Sequence, residues 1–398
     1  MILPDASWRR WPGLDRLLAA LGSAEGETRF VGGCVRDTLL GLEVSDVDLA
    51  TRLAPDAVMA RLKRDRIKAV PTGLAHGTVT AVIQGRPIQV TTLRRDVATD
   101  GRRATIAYTD DWREDAARRD FTINALSAEP ASGKIHDYFE GEADIEARRV
   151  RFIGDPLTRI AEDHLRILRF FRFHARFGEG APDREAMHAC SARRNDLMAL
   201  SRERIADELL KLLALDHPSG TVVLMYALEI FGPIIPEIDE PGLRRLSGLC
   251  EREREAALAP DPLRRFAALL PPDPDLVASI AARLRLSKKA SKRLVTAANR
   301  NEPGGSPEAL AYWLGRDEAI DRILLGDGDP NRVGALEGWV RPKLPVSGGD
   351  LVARGLLAGP LVAATLQAIE REWVDSGFPG DNAEIIRRHV DQALRASQ

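Results

Sequence analysis

Apolar residues recur at helical spacing near the start of the chain. Leu14, Leu17, Leu18 and Leu21 share one side, and Gly22 and Gly26 follow, which predicts one short helix within the first 25 residues. Thr28 to Val31 then reads as a short strand running into Gly32-Gly33, with a helix from Val35 to Leu40 opening at those glycines. Asp46 to Leu49 reads as a second strand, 56–66 as a helix, and 77–83 with 87–93 as a β-hairpin turning around Gly85. The stretch 94–117, with six acidic and five basic side chains, reads as a loop, and 118–128 mixes helix and strand signals. From about 157 strand patterns nearly vanish. The run 157–177 predicts one long helix, with Ile160, His164, Ile167, Leu168 and Phe171 on or near one side. Further helices are predicted at 183–198, 201–215, 220–230, 242–258, 263–269, 274–285, 287–298, 308–315, 317–325, 349–357, 360–376 and 382–396. An α/β head of about 140 residues thus precedes an all-helical remainder of about 250, divided by the proline-rich breaks at 260–262, 271–274 and 302–305.

Composition narrows the class. The 398 residues are 44% apolar and 29% charged, enough for real cores in two or three domains. A net charge of −2 neither points to a nucleic-acid partner nor excludes one, because local patches can be basic inside a neutral total. Cys34, Cys190 and Cys250 are too few and too scattered for a disulfide framework or structural zinc site, and imply a reducing compartment. The longest apolar stretches fall far short of a membrane span, and Pro4, Asp5 and the paired arginines Arg9-Arg10 make the N-terminus a poor signal peptide. A cytoplasmic protein is the expectation.

Asp46-Val47-Asp48 is the first chemical signal. In a strand, positions i and i+2 share a face, so both carboxylates would project together. Such a pair invites Mg²⁺, a hard cation that takes oxygen ligands and commonly substrate phosphates. Two exposed aspartates in a turn is the bland alternative. Upstream, Gly32-Gly33 allows backbone N–H groups to approach an anion at a helix start. Arg36, in the first turn of that helix, sits where the dipole disfavours a cation, as a bound triphosphate would explain. No Walker loop or G-x-G-x-x-G fingerprint is present.

Gly32-Gly33-Cys34-Val35-Arg36-Asp37, Leu39-Leu40-Gly41 and Asp46-Val47-Asp48 together resemble the bacterial class II tRNA nucleotidyltransferase and poly(A) polymerase family of the polymerase-β superfamily. Further segments follow in the family's order: His76 to Thr80, Val90 to Arg94, the distinctive Arg118-Arg119-Asp120-Phe121-Thr122-Ile123-Asn124-Ala125, Asp137 to Gly141, Glu162 to Arg169, and Ser201 to Ile205. The matching covers about residues 28–213.

The resemblance implies an α+β fold: a small mixed-sheet nucleotidyltransferase head (1–142), then an elongated all-helical neck (143–215), body (216–300) and tail (301–398). It implies catalytic and metal-holding roles for Asp46 and Asp48 with Mg²⁺, and a reaction that adds CCA to tRNA 3′ ends from CTP and ATP, releasing pyrophosphate. Gly32, Gly33, Arg36, Arg119, Asp120 and Asn124 would contact the nucleotide's sugar and phosphates, although capping and cross-loop hydrogen bonds are an alternative for Asp120 and Asn124. Asp163, Arg166 and Arg169 would share a helix face, where the Asp and Arg could read the incoming base, with an ordinary salt-bridge row as the plain alternative. Relatives tend to have a third acid where Gln89 stands, which puts a three-carboxylate site in doubt. From Arg148 to Arg176, eight arginines face three acids, and Arg283, Arg285, Lys288, Lys289, Lys292 and Arg293 form an acid-free run. The latter run is the expected RNA-backbone contact, with a solvated helix face as its plain alternative. Poly(A) or A-only addition is the alternative activity, and a catalytically inactive RNA-binding protein the alternative class. No obligate protein partner is evident.

Overall fold

The structure, a computed structural model, describes residues 1–99, 104–300 and 305–396. Its strands are β1 (Thr28–Val31), β2 (Asp48–Thr51), β3 (Lys68–Gly73), β4 (Thr78–Ile83), β5 (Arg86–Thr92), β6 (Arg94–Thr99), β7 (Ala104–Tyr108), β8 (Ser127–Ala128) and β9 (Ile135–His136). The helices of this half are α1 (Leu14–Ala20), α2 (Gly33–Leu39), α3 (Pro55–Arg64), α4 (Trp112–Ala117) and α5 (Gly141–Glu146). There follow α6 (Pro156–Glu162), α7 (Arg166–Phe177), α8 (Arg184–Ala192), α9 (Arg202–Leu213), α10 (Ser219–Ala227) and α11 (Glu240–Glu255). Then come α12 (Pro262–Leu269), α13 (Pro274–Arg283), α14 (Lys288–Ala298), α15 (Pro307–Leu314), α16 (Arg316–Leu325), α17 (Gly348–Ala353), α18 (Pro360–Asp375) and α19 (Ala383–Ala396). A mixed sheet followed by helices bears out the α+β reading; among the described residues no strand follows His136. No helix among them is long and apolar enough to cross a membrane.

The chain divides into two compact units, one of residues Met1–Leu212 with Val223–Ile234, the other of Leu213–Val222 and the chain from Ile235 on. In the first, seven strands pair in the order β3-β4-β5-β2-β1-β8-β9. β2 and β5 run parallel, with Asp48 beside Gln89 and Leu49 beside Val90; the other neighbours are antiparallel. Burial alternates along β4 and β5, so Val79, Ala81, Ile83, Ile88 and Val90 form the inner face. Leu14 and Leu17 of α1 and Val58 and Leu62 of α3 are buried with them.

Asp-Pro pairs open several helices. Asp155, Asp261 and Asp273 each cap a helix whose first residue is proline, accepting backbone N–H bonds from Thr158, Arg264 and Leu276. Two of the breaks read as dividers are thus helix starts. The third falls largely on residues 301–304, outside the described ones.

Three expectations are corrected. Within the charged stretch 94–117, β6 and β7 pair antiparallel and α4 follows, with Trp112 buried against Val31, Ala50 and Leu93. The run 157–177 is two helices: α6 ends at Glu162, and Asp163 takes an extended conformation (φ −150°, ψ 105°). The run 183–198 is α8 followed by a 3₁₀ turn at Arg194–Ala199.

The second unit is held by a buried charge cluster. Arg264 bonds Glu253 (2.7 Å) and Asp321 (2.8 Å), Arg265 bonds Glu253 (2.7 Å), and Arg293 bonds Asp321 (2.6 Å) and Asp261 (2.7 Å). Further along, Trp373 packs with Tyr312 and Phe378. Ser347 and Asp350 make a reciprocal capping box for α17.

Candidate active site

β1 ends at Val31 and runs into Gly32, whose φ of +71° suits glycine. A Cβ there would lie 2.9 Å from Arg119 Nη1, so a larger residue would push that guanidinium aside. Gly33 begins α2, and one turn later Arg36 is almost fully buried. Its Nε donates to Asp37 (2.7 Å), its Nη1 donates to Asn124 Oδ1, and its guanidinium lies 4.1 Å over the Phe177 ring. Asn124 therefore braces the arginine that the glycine turn presents.

Asp48 is the first residue of β2, and Asp46 lies just before the strand, not within it. The expected alternation still holds: Asp46 is exposed, Val47 buried and Asp48 half-buried. Burial pushes the Asp48 carboxyl up, Arg119 offsets part of this, and the charge of Asp46 raises it again. The charge of Asp46 thus opposes that of Asp48. Among the described residues no third His, Cys, Asp or Glu completes a cation-binding group with them. The neighbour of Asp48 on β5 is the neutral Gln89.

A cavity of about 420 Å³ opens here. It is lined by Asp48 and by all nine residues expected to bind nucleotide: Gly32, Gly33, Arg36, Arg119, Asp120, Asn124, Asp163, Arg166 and Arg169. Phe173 completes the lining and was not anticipated; its place on the apolar face of α7 is the only sequence signal. Four arginines meet three aspartates, a balance suited to a polyanion. Asp46 does not line the cavity.

The arginines are held by partners that sequence reading missed. Arg119 donates to the Asn124 carbonyl (3.3 Å) and pairs with buried Asp115 (3.4 Å). Arg166 donates to Glu162 (2.6 Å) and to the carbonyls of Arg159 (2.8 Å) and Arg118 (3.2 Å). Asp163 accepts from Arg204 of α9 (2.9 Å). Because Asp163 stands in the break between α6 and α7, the shared helix face expected of Asp163 and Arg166 is corrected; the kink itself brings them to one cavity.

Asp120 has four contacts: the Phe121 N–H (2.9 Å), Asn124 Nδ2 (2.9 Å), and Arg169 through Nε (2.9 Å) and Nη2 (2.5 Å). Burial alone would raise its carboxyl, but Arg169 and these hydrogen bonds outweigh it and bring it down to about 2. This favours the cross-loop role left open for Asp120. A carboxylate whose folded pKa lies below its unfolded value stabilises the fold above about pH 4, and that contribution disappears as pH falls towards 2. Urea unfolding between pH 5 and pH 2 should therefore lose stability more steeply in the wild type than in Asp120→Asn.

The expected RNA-facing run divides. Arg283 pairs with Glu237 (2.6 Å) at the surface. Lys288, Lys289 and Lys292 lie on α14, preceded by Arg285 with a left-handed backbone (φ +53°). Arg293 is a correction: its side chain is 11% exposed and bound to Asp261 and Asp321, so it belongs to the buried cluster, not to a phosphate-facing surface.

A glycine turn, a paired carboxylate on the adjacent strand and an arginine-lined cavity define a nucleotidyltransferase head. Residues 28–151 match the family described as "Poly A polymerase head domain", and 182–240 match "Probable RNA and SrmB- binding site of polymerase A". The chain is 33% identical over 391 residues to mouse "CCA tRNA nucleotidyltransferase 1, mitochondrial", covering 94% of this chain and 89% of that relative. It is 30% identical over 395 residues to the "CCA-adding enzyme" of Levilactobacillus brevis, covering 94% and 96%. The crystal structure of the Bacillus stearothermophilus CCA-adding enzyme in complex with CTP superposes with a TM-score of 0.72 at 26% identity, covering 96% of this chain and 99% of that one. The chain belongs to the CCA tRNA nucleotidyltransferase family.

Proposed function

We infer that the protein is a template-independent nucleotidyltransferase that adds CCA to tRNA 3′ ends from CTP and ATP. The observation that carries this reading is the single cavity joining the Gly32-Gly33 turn, Asp48, and the Asp163–Arg166 pair. Relatives over nearly the whole chain carry this activity in their names, which favours it over poly(A) addition.

In this reading the RNA 3′-hydroxyl loses its proton to solvent as its oxygen bonds the α-phosphorus, the α–β phosphoanhydride P–O bond breaks, and pyrophosphate departs with the electron pair. Arg36 and Arg119, beside the glycine turn, hold the triphosphate and balance its charge. Asp46 and Asp48 fit a divalent cation, Mg²⁺ by preference: both offer hard oxygens, and a nearby cation would relieve the burial and repulsion that raise Asp48. Such an ion stabilises charge on the reacting phosphate. Gln89 leaves that site with two negative charges.

Base choice falls to Asp163 and Arg166. Three acceptors occupy Arg166, leaving two of its five N–H groups for cytosine O2 and N3, while Asp163 accepts from the exocyclic amine. Adenine offers N1 and its own amine in a similar way, whereas guanine and uracil would set like polar groups against each other. The head (1–142) is then catalytic, 143–215 selects the base, and 216–300 with 301–398 bind RNA through cations such as Lys288, Lys289 and Lys292. Three buried thiols suit a reducing compartment such as the cytoplasm.

The test supplies Mg²⁺, tRNA lacking CCA, and labelled CTP or ATP separately and together. Two C then one A is the expected product. Long A tracts would indicate poly(A) addition, and RNA binding without incorporation an inactive binder. Gly32→Ala should weaken CTP binding about tenfold, read by calorimetry, because the added Cβ pushes aside the Arg119 guanidinium, and losing one hydrogen bond to a charged group costs about 1.5 kcal/mol.

A further inference from the structure

The register of the sheet extends the active site in a direction that the nucleotide cavity does not use. Asp48 stands beside Gln89 on β5, Gln89 beside Thr80 on β4, and Thr80 beside Val70 on β3. Register partners point the same way, so these four side chains share the outer face. One pleat over, Pro87, Val82 and Lys68 form a parallel row on that face. The face is open: Gln89 and Lys68 are exposed, and Val70 is 38% exposed. It is also polar, with Thr72 against Thr80 (2.6 Å) and Thr78 against Thr91 (3.1 Å).

This face ends, three strand spacings or about 14 Å from Asp48, at the β3 edge, where Lys63 of α3, Arg66 and Lys68 line one hollow and form a basic corner. Between Arg61 and Lys68 there are five cations and one acid. Arg64 is neutralised by Asp65, but among the described residues no carboxylate pairs with Lys63, Arg66 or Lys68. Arg66 is the residue after α3 that reverses the chain, with Ile67 N–H returning to Leu62 (2.8 Å). Its φ of +52° is a glycine position, and an arginine there costs stability that glycine would not. Fold stability therefore does not explain that choice.

We propose that the outer face of β5-β4-β3 and its basic corner, Lys63, Arg66 and Lys68, seat the phosphodiester backbone of the RNA strand whose 3′ end reaches Asp48. The triphosphate cavity lies on the β1 side of Asp48, so the attacking strand arrives from the β5 side. Threonine hydroxyls and Gln89 line its path without fixing its sequence, and the corner cations meet phosphates upstream of the reacting end. The inference rests on the proposed function.

The test measures fluorescence anisotropy of both tRNAs over a range of salt concentrations, for the wild type and the triple variant Lys63→Ala/Arg66→Gly/Lys68→Ala. The variant should bind tRNA ending in CC about tenfold more weakly at low salt, with a slope of log Kd against log salt shallower by about 2 to 3. The loss should be of similar size for tRNA ending before CCA. CTP affinity should be retained, and Arg66→Gly alone should melt no lower than the wild type. Equal Kd and slope in wild type and variant would overturn the seat alone. A wild type that binds neither tRNA would overturn the seat and the proposed function together.

Discussion

Asp48→Asn should abolish nucleotide incorporation, by roughly 10³-fold or more, while the head melts at the same temperature or higher. The two effects share one cause. Asp48 is held partly out of water and beside Asp46, so both its surroundings and its neighbour oppose its charge. Asparagine keeps the shape and removes the repulsion, which relieves a cost to folding. It also removes half of the negative charge available to a cation, because Gln89 supplies none. A loss of incorporation accompanied by a lower melting temperature would point instead to a structural aspartate. Incorporation of labelled CTP into tRNA lacking CCA and a thermal melt of the same preparation separate the two.

Asp321→Ala should destabilise the second unit by about 3–5 kcal/mol. Asp321 is 1% exposed and accepts from Arg264 and Arg293. Its removal leaves Arg264 with Glu253, already shared with Arg265, and Arg293 with Asp261 alone. Three arginines would then face two carboxylates in the interior, an unpaired charge that the fold cannot hydrate. Urea unfolding should show the shift as an earlier transition. CTP binding, which depends on residues of the first unit, should survive at low urea concentration.

These two cases show what kinds of information lie along the chain. Gly32-Gly33, Asp46-Val47-Asp48 and Arg118 to Ala125 carry their chemistry in contiguous residues, and the cavity joins them as their types suggest. The helix break at Asp163 is different. The sequence around it keeps helical spacing without interruption, and the residue that holds Asp163 is Arg204, 41 positions away. Arg293 likewise sits in an acid-free run, yet its partners are 28 and 32 positions distant. β7, Ala104 to Tyr108, carries no charge, but the charged residues around it make the stretch read as a loop, and its pairing partner β6 is itself charged. Local chemistry is legible from neighbours; a side chain's partner across the fold is not.

Calorimetric titration with CTP, in the presence and absence of Mg²⁺, tests most directly whether Asp46 and Asp48 grip a cation around the nucleotide's phosphates. The wild type should bind CTP at least tenfold more tightly with Mg²⁺, and Asp46→Asn/Asp48→Asn should lose that difference. Equal CTP affinity with and without Mg²⁺ in the wild type, or a Mg²⁺ effect that survives in the double variant, would contradict the account.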